Sequence, residues 1–298
     1  MDNAEEIKKL EQELAAAKAR LAEAKTKARK AEKSKGEAKP PVHEPPKTGI
    51  TELCFVVDRS GSMWDRVDSV VSGFNATLAS QKSKKVDRLF VSTVLFDDEE
   101  RILHDRLPVE TIRNLTTEDY RTGGSTALLD AVGGAIDRMV NVQRTVTPEN
   151  RAENVVFVII TDGLENASRR YSRETVRRMV QKERDEYGWE FIFLGADIDS
   201  FAAARDIGIG RDRTSNFVGD EEGVHEAWKC VDDMAMLKRR KAPMRCLAAR
   251  MCEMHACYEK RANGLGKSGK TPTRSRRLED YMVHADAGKD PKKNGGDK

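Results

Sequence analysis

Three short segments of the chain carry oxygen donors at spacings suited to gripping a hard metal ion. The first, Cys54-Phe-Val-Val-Asp58-Arg59-Ser60-Gly61-Ser62-Met63, offers one carboxylate and two hydroxyls at alternate positions after an apolar run. The second, Thr122-Gly-Gly-Ser125-Thr126-Ala-Leu-Leu-Asp130, puts Thr126 at the start of an apolar-periodic stretch, and the third runs Ile159-Ile160-Thr161-Asp162-Gly163. Asp58, Ser60, Ser62, Thr126 and Asp162 together form a shell of two carboxylates and three hydroxyls with no Cys or His. Such a shell selects Mg2+, or Mn2+ or Ca2+ in its place, over zinc or copper. Two carboxylates neutralise the ion without filling an octahedral sphere, so a position remains for water or for an incoming oxygen ligand.

These segments can meet only if the elements before and after them bring them to one place. Ile50–Val57, Leu89–Phe96, Val155–Ile160 and Phe191–Leu194 are short apolar, β-branched or aromatic runs, the pattern of strands covered on both faces. Between them lie helical stripes: Val67, Val70, Val71, Phe74 and Leu78; then Leu128, Leu129, Val132, Ile136 and Val140; then Val176, Met179 and Val180. Ile102–Leu107 follows the second strand after a short acidic turn, which predicts an antiparallel hairpin partner at a sheet edge. The succession predicts an α/β fold with a doubly wound, mainly parallel sheet, right-handed crossovers and one antiparallel edge strand. In such sheets ligands bind at the carboxyl ends of strands, near the point where strand order reverses. Asp58 and Asp162 both stand at predicted strand ends, and Gly61 permits a tight turn between the first two hydroxyls.

On these residues the chain resembles the von Willebrand factor A domains that carry a metal-ion-dependent adhesion site. The resemblance lies in Asp58-Arg-Ser60-Gly-Ser62, in Thr126 within Gly-Gly-Ser-Thr-Ala-Leu-Leu-Asp-Ala, and in Asp162-Gly163 after an apolar strand. It covers roughly Gly49 to Gly219, something over half the chain. Asp-x-Ser-x-Ser alone occurs by chance; the three segments in this order on these elements are far more specific. The resemblance implies that Ser60, Ser62 and Thr126 hold the metal directly, that Asp58 and Asp162 act directly or through water, and that a partner's Asp or Glu completes the sphere. Asp162-Gly-Leu-Glu-Asn166 and Phe193-Leu-Gly-Ala-Asp197 more closely resemble compact intracellular bacterial and phage members than integrins.

Each feature has a plainer alternative. Asp58 and the two hydroxyls could merely cap a helix start, which explains one segment but not the convergence of three. Arg59 and Arg121 flank the site and would steer an acidic partner, unless they are only exposed loop charges. Trp64 directly follows the first loop and would anchor a partner if exposed. Asp97, Asp98, Glu99 and Glu100 read as a solvated acidic turn. Cys246, Cys252, His255 and Cys257 invite a zinc reading, but their spacing matches no standard pattern, and a helix face with buried thiols is the expectation.

Catalytic motifs are missing. A haloacid-dehalogenase-type site needs an Asp where Ser60 stands, an α/β-hydrolase elbow needs Gly where Asp58 stands, and neither a phosphate-binding Gly-rich loop nor a dinucleotide fingerprint occurs. The expectation is therefore a binding protein and not an enzyme.

The ends differ from the middle. Residues 1–38 repeat Ile7, Leu10, Leu14, Ala17, Leu21, Ala24, Ala28 and Ala31 at heptad spacing, which predicts a helical segment that either self-associates as a short coiled coil over residues 5–35 or stays single. Residues 39–48 are a Pro-rich linker. Residues 49–240 are the α/β domain, 241–262 a helical extension, and 263–298 a basic tail with too few apolar residues to pack. From Lys238 onward there are 17 Lys/Arg against 7 Asp/Glu, although the 298-residue chain carries a net charge of only +3. That surplus leaves nucleic-acid binding through the tail as a secondary alternative, since no interleaved aromatics accompany it. The 5 cysteines have no regular spacing, no apolar run opens the chain and no stretch is long enough to span a membrane, so the expected setting is cytoplasmic with reduced thiols. The functional expectation is a metal-dependent adaptor or assembly module; the competing one is a structural component of a phage particle or multisubunit machine.

Overall fold

The computed structural model describes residues 46–264; the heptad segment, most of the Pro-rich linker and the tail from 265 onward lie outside the described residues. Six strands, β1 (Ile50–Asp58), β2 (Arg88–Phe96), β3 (Glu100–Pro108), β4 (Asn154–Thr161), β5 (Glu190–Ala196) and β6 (Thr214–Phe217), form one sheet in the order β3-β2-β1-β4-β5-β6. Among the described residues, only the β2–β3 pair is antiparallel. The expected doubly wound sheet with one antiparallel edge strand is the architecture observed. The helices are α1 (Val67–Ser83), α2 (Leu128–Thr145), α3 (Arg173–Tyr187), α4 (Ser200–Asp206), α5 (Glu221–Arg239) and α6 (Met244–Ala262).

Strand β1 is buried along its whole length, because alternate residues feed two separate cores. Leu53, Phe55 and Val57 face α1, α5 and α6, whereas Cys54 and Val56 face α2 and α3. The first core centres on Phe55, Phe74 and Trp228, whose ring centroids lie 5.2, 5.7 and 5.6 Å apart. Gly73 makes this possible: a Cβ there would stand 2.2 Å from Trp228 Cδ1. The C-terminal helix α6 is no appendage, since Cys246, Leu247, Met251 and Met254 are buried in the same core.

Two elements escaped the sequence reading. Strand β6 is only Thr-Ser-Asn-Phe, and α4 is a seven-residue helix capped by Asp199. Neither has enough apolar periodicity to stand out. Among the described residues, no helix is long and apolar enough to cross a membrane.

The strand order fixes where a site can form. The chain winds outward from β1 through β2 in one direction and through β4 in the other, so the reversal lies between β1 and β4. Their register pairs Val57 with Ile160, and the next residues, Asp58 and Thr161, stand side by side at the carboxyl edge.

Candidate metal centre

Asp58, the last residue of β1, is fully buried. Its Oδ2 accepts a 2.5 Å hydrogen bond from Thr161 Oγ1 on β4, and its Oδ1 accepts from Ser60 N at 2.7 Å. The Tyr120 hydroxyl donates to the Asp58 carbonyl from beneath. No cation pairs with this carboxylate among the described residues. Burial pushes its pKa up to about 6, against the pull of the Thr161 and Ser60 hydrogen bonds, with the nearby Asp162 charge adding to the rise.

Past Asp58 the chain enters a 3-10 turn, Gly61–Arg66, in which the Ser60 side chain makes no capping bond. The capping alternative therefore does not account for the hydroxyls. Instead Ser60 Oγ lies 3.2 Å from Ser62 Oγ, and Ser62 Oγ donates to Asp162 Oδ1 at 2.5 Å, across a sequence separation of 100. Gly61 N donates to Gly124 O and Gly123 N to Arg59 O, stitching this loop to the Thr126 loop. Asp162 is nearly buried, and its second oxygen accepts from Arg66 at 3.0 Å. Burial raises its pKa, opposed by the Ser62 hydrogen bond and the Arg66 charge.

Thr126 is held at both backbone atoms by one residue: Asn166 Oδ1 accepts from Thr126 N at 2.9 Å, and Asn166 N donates to Thr126 O at 3.1 Å. Its hydroxyl lies over Gly163, where a Cβ would stand only 2.6 Å from Thr126 Oγ1. Any side chain at 163 would push the third donor loop away from the second. The 163–171 segment is itself pinned to the start of α2. Glu165 accepts from the amides of Leu129, Ala167 and Ser168 at 2.9, 3.1 and 2.8 Å, and Asp130 accepts from those of Arg169, Arg170 and Tyr171 at 2.9 Å each. Thr161, Glu165, Asn166, Asp130 and Arg66 thus place the donors; all but Arg66 lie within the motif stretches quoted from the sequence, but no spacing there assigned any of them this role.

The structure gathers Asp58, Ser60, Ser62, Thr126 and Asp162 at one place, on three loops at the carboxyl ends of β1 and β4. Their oxygens suit a hard divalent cation, with no nitrogen or sulfur donor in the set. The cysteine-rich stretch of α6 offers no rival. Cys246 is buried in the core, Cys257 lies on Glu226, and His255 packs edge-on against Phe201 at 4.9 Å. Among the described residues, no three His, Cys, Asp or Glu side chains gather as a metal cluster.

The rim differs from the sequence expectation at one point. Asp97 and Glu100 are not solvated turn charges. Asp97 is buried, its Oδ2 lies 2.8 Å from Arg59 and its Oδ1 accepts from Glu99 N, while Glu100 pairs with Arg170. The sequence could not show these cations arriving from other loops. Arg59 is thereby engaged as a strut, donating also to Arg121 O at 3.3 Å, whereas Arg121 is exposed beside Glu118. Trp64 is 73% exposed and Leu164 59% exposed, one following Ser62 and the other Asp162 in sequence by two residues. Leu164 was not singled out from the sequence.

No protein-family model and no curated protein sequence matches the chain. Among solved structures, proximal thread matrix protein 1 from the mussel byssus is 14% identical with a TM-score of 0.43, matching 62% of this chain; the chain spans 45% of that protein's length. The same protein has also been solved with a zinc-occupied MIDAS motif. A von Willebrand factor type A protein from Catenulispora acidiphila is 14% identical with a TM-score of 0.45, over 63% of this chain and 43% of its own. The vWF domain of the type V pili tip protein Mfa5 from Porphyromonas gingivalis is 11% identical with a TM-score of 0.49, over 66% of this chain and 97% of its own. The solved structures to which this chain is similar thus include several von Willebrand factor A domains.

Proposed function

We propose that the chain is a divalent-cation-dependent protein-binding module, an adaptor or assembly component and not an enzyme. The observation that supports this reading is the convergence of Asp58, Ser60, Ser62, Thr126 and Asp162, all oxygen donors, at the sheet's switch point. Mg2+ is the ion we assign to it, with Mn2+ or Ca2+ able to replace it. Ser60, Ser62 and Thr126 would hold the ion directly and the two carboxylates would balance its charge. A bound cation supplies the positive centre that attracts an Asp or Glu of the partner. The chain's own residues do the rest. Thr161 and Asn166 orient the donors, and the exposed side chains of Trp64 and Leu164, each two residues past a donor, offer apolar contacts.

The test is affinity capture with the full chain in Mg2+ and in chelator, beside a Thr126→Ala variant. A partner retained only by the wild type in Mg2+ supports the reading; a partner retained equally in all three moves the binding to the heptad segment or the basic tail, as a structural component of a larger assembly would have it. Once a partner is in hand, Trp64→Ala is expected to weaken it by about tenfold or more, the loss usual for a central aromatic contact. Cation affinity measured by calorimetry should not change, because Trp64 donates nothing to the site.

A further inference from the structure

We infer that Arg66 is a tethered counter-cation: it holds Asp162 when no divalent ion is present, steadies the cation-free site, and thereby weakens cation binding. The inference rests on the reading of the site as a cation site.

The two carboxylates of the site are treated differently. Asp58 is held by neutral donors alone, Thr161 Oγ1 and Ser60 N. Asp162, by contrast, has Ser62 Oγ on one oxygen and the Arg66 guanidinium on the other at 3.0 Å. Arg66 ends the 3-10 turn that begins just after Ser60, and donates also to Ser62 O at 3.1 Å, so it is anchored to the donor loop itself. An ion that takes Asp162 must therefore share that carboxylate with a fixed positive charge about one hydrogen bond away. Like charges so placed oppose each other, and the exposed side of the site softens the effect without abolishing it.

Arg66 also makes two further ion pairs where it stands. Its Nη1 reaches Asp65 at 2.9 Å and its Nη2 reaches Asp197 at 3.2 Å, both on more exposed carboxylates than Asp162. Gly219 leaves room for that second pair. A Cβ there would stand 2.2 Å from Arg66 Nη2 and 2.3 Å from Asp197 Oδ2, and Gly219 N donates to the same carboxylate at 3.2 Å. Arg66 can thus surrender Asp162 and remain ion-paired. No sequence pattern pairs the two, because Arg66 and Asp162 are 96 positions apart.

The experiment is Mn2+ titration of the full chain by calorimetry, paired with thermal melting in chelator, for the wild type and for Arg66→Gln, Arg66→Met and Arg66→Lys. Removing the charge should tighten Mn2+ about tenfold while lowering the chelated Tm by several degrees, a pairing of signs drawn from charge competition. Arg66→Lys keeps the charge and should stay within about threefold of the wild type, on the same principle. A merely structural arginine would lower the Tm without tightening Mn2+. Unchanged or weaker Mn2+ binding in whichever of the Gln and Met variants folds overturns the inference while leaving the cation site intact. Failure of every protein, wild type included, to bind Mn2+ overturns the site reading and this inference with it.

Discussion

Asp58→Asn is expected to melt at a higher temperature than the wild type in chelator at pH 7.5, and to gain nothing when Mg2+ is added. Asp58 is fully buried and held by neutral donors, and its pKa is pushed up to about 6 from an ordinary 3.8. A carboxyl whose pKa is raised by folding stabilises the fold fully below the unfolded value, and that contribution is lost as the pH rises through the folded value. At pH 7.5 the cation-free protein therefore bears the whole cost, on the order of 3 kcal/mol for a shift of about 2 pH units. Asparagine removes the charge and fits the same bonds. Its oxygen accepts from Ser60 N, and its amide donates to Thr161 Oγ1, whose hydroxyl has Gly163 O within 3.0 Å as an alternative acceptor. Allowing for weaker bonds to a neutral group, the gain in Tm is roughly 3–10 °C. Melting across pH 4–8 isolates Asp58, since other buried acids such as Glu52 and Glu183 are shared by both proteins. The wild type should approach the variant as the pH falls below about 6. A variant less stable than the wild type in chelator at pH 7.5 would show that the buried charge is compensated by something other than a cation.

Asp130→Ala is expected to have the opposite sign and a larger reach. Asp130 lies in the first turn of α2 and accepts from three consecutive amides, Arg169, Arg170 and Tyr171, at 2.9 Å each. Alanine leaves those donors without their charged acceptor, at a cost of about 3 kcal/mol and a Tm lower by roughly 6–12 °C. The same segment carries Asn166, the clamp on Thr126, so the damage should spread to the cation site. Hydrogen exchange should speed up at residues 166–171 more than in β1 or β4, and Mn2+ affinity should fall about tenfold or more as the Thr126 loop loosens. Asp130→Asn, with one acceptor oxygen left, should fall between. Uniform acceleration of exchange across the sheet would instead make Asp130 a general stability residue with no special bearing on the site.

The residues that make these predictions possible were unevenly visible. β1, β2, β4 and β5 could be read because strands covered on both faces are nearly unbroken apolar runs, and α1, α2 and α3 because each needs one apolar stripe. Asp58, Ser60, Ser62 and Asp162 could be read because they stand where β1 and β4 end, and Thr126 because it stands just before the apolar stripe of α2. Strand β6 could not, since its polar Ser215 and Asn216 at a sheet edge need no apolar partner on each face. The supporting residues were hidden for a different reason. Thr161, Asn166, Asp130 and Arg66 are ordinary polar residues whose roles are set by what they meet across the fold, 39 to 131 positions away. Asp97 and Glu100 of the acidic turn were misread on the same ground, while Asp98 and Glu99 are exposed as expected. Nothing near Asp97 in sequence announces that Arg59 will be folded against it.

Crystals of the full chain grown in Mn2+ and measured at the manganese absorption edge test the central claim most directly. The account predicts one strong anomalous peak within bonding distance of Ser60 Oγ, Ser62 Oγ and Thr126 Oγ1, flanked by Asp58 and Asp162. A map with no peak there, or with its peak on Asp65 and Asp197 instead, contradicts it.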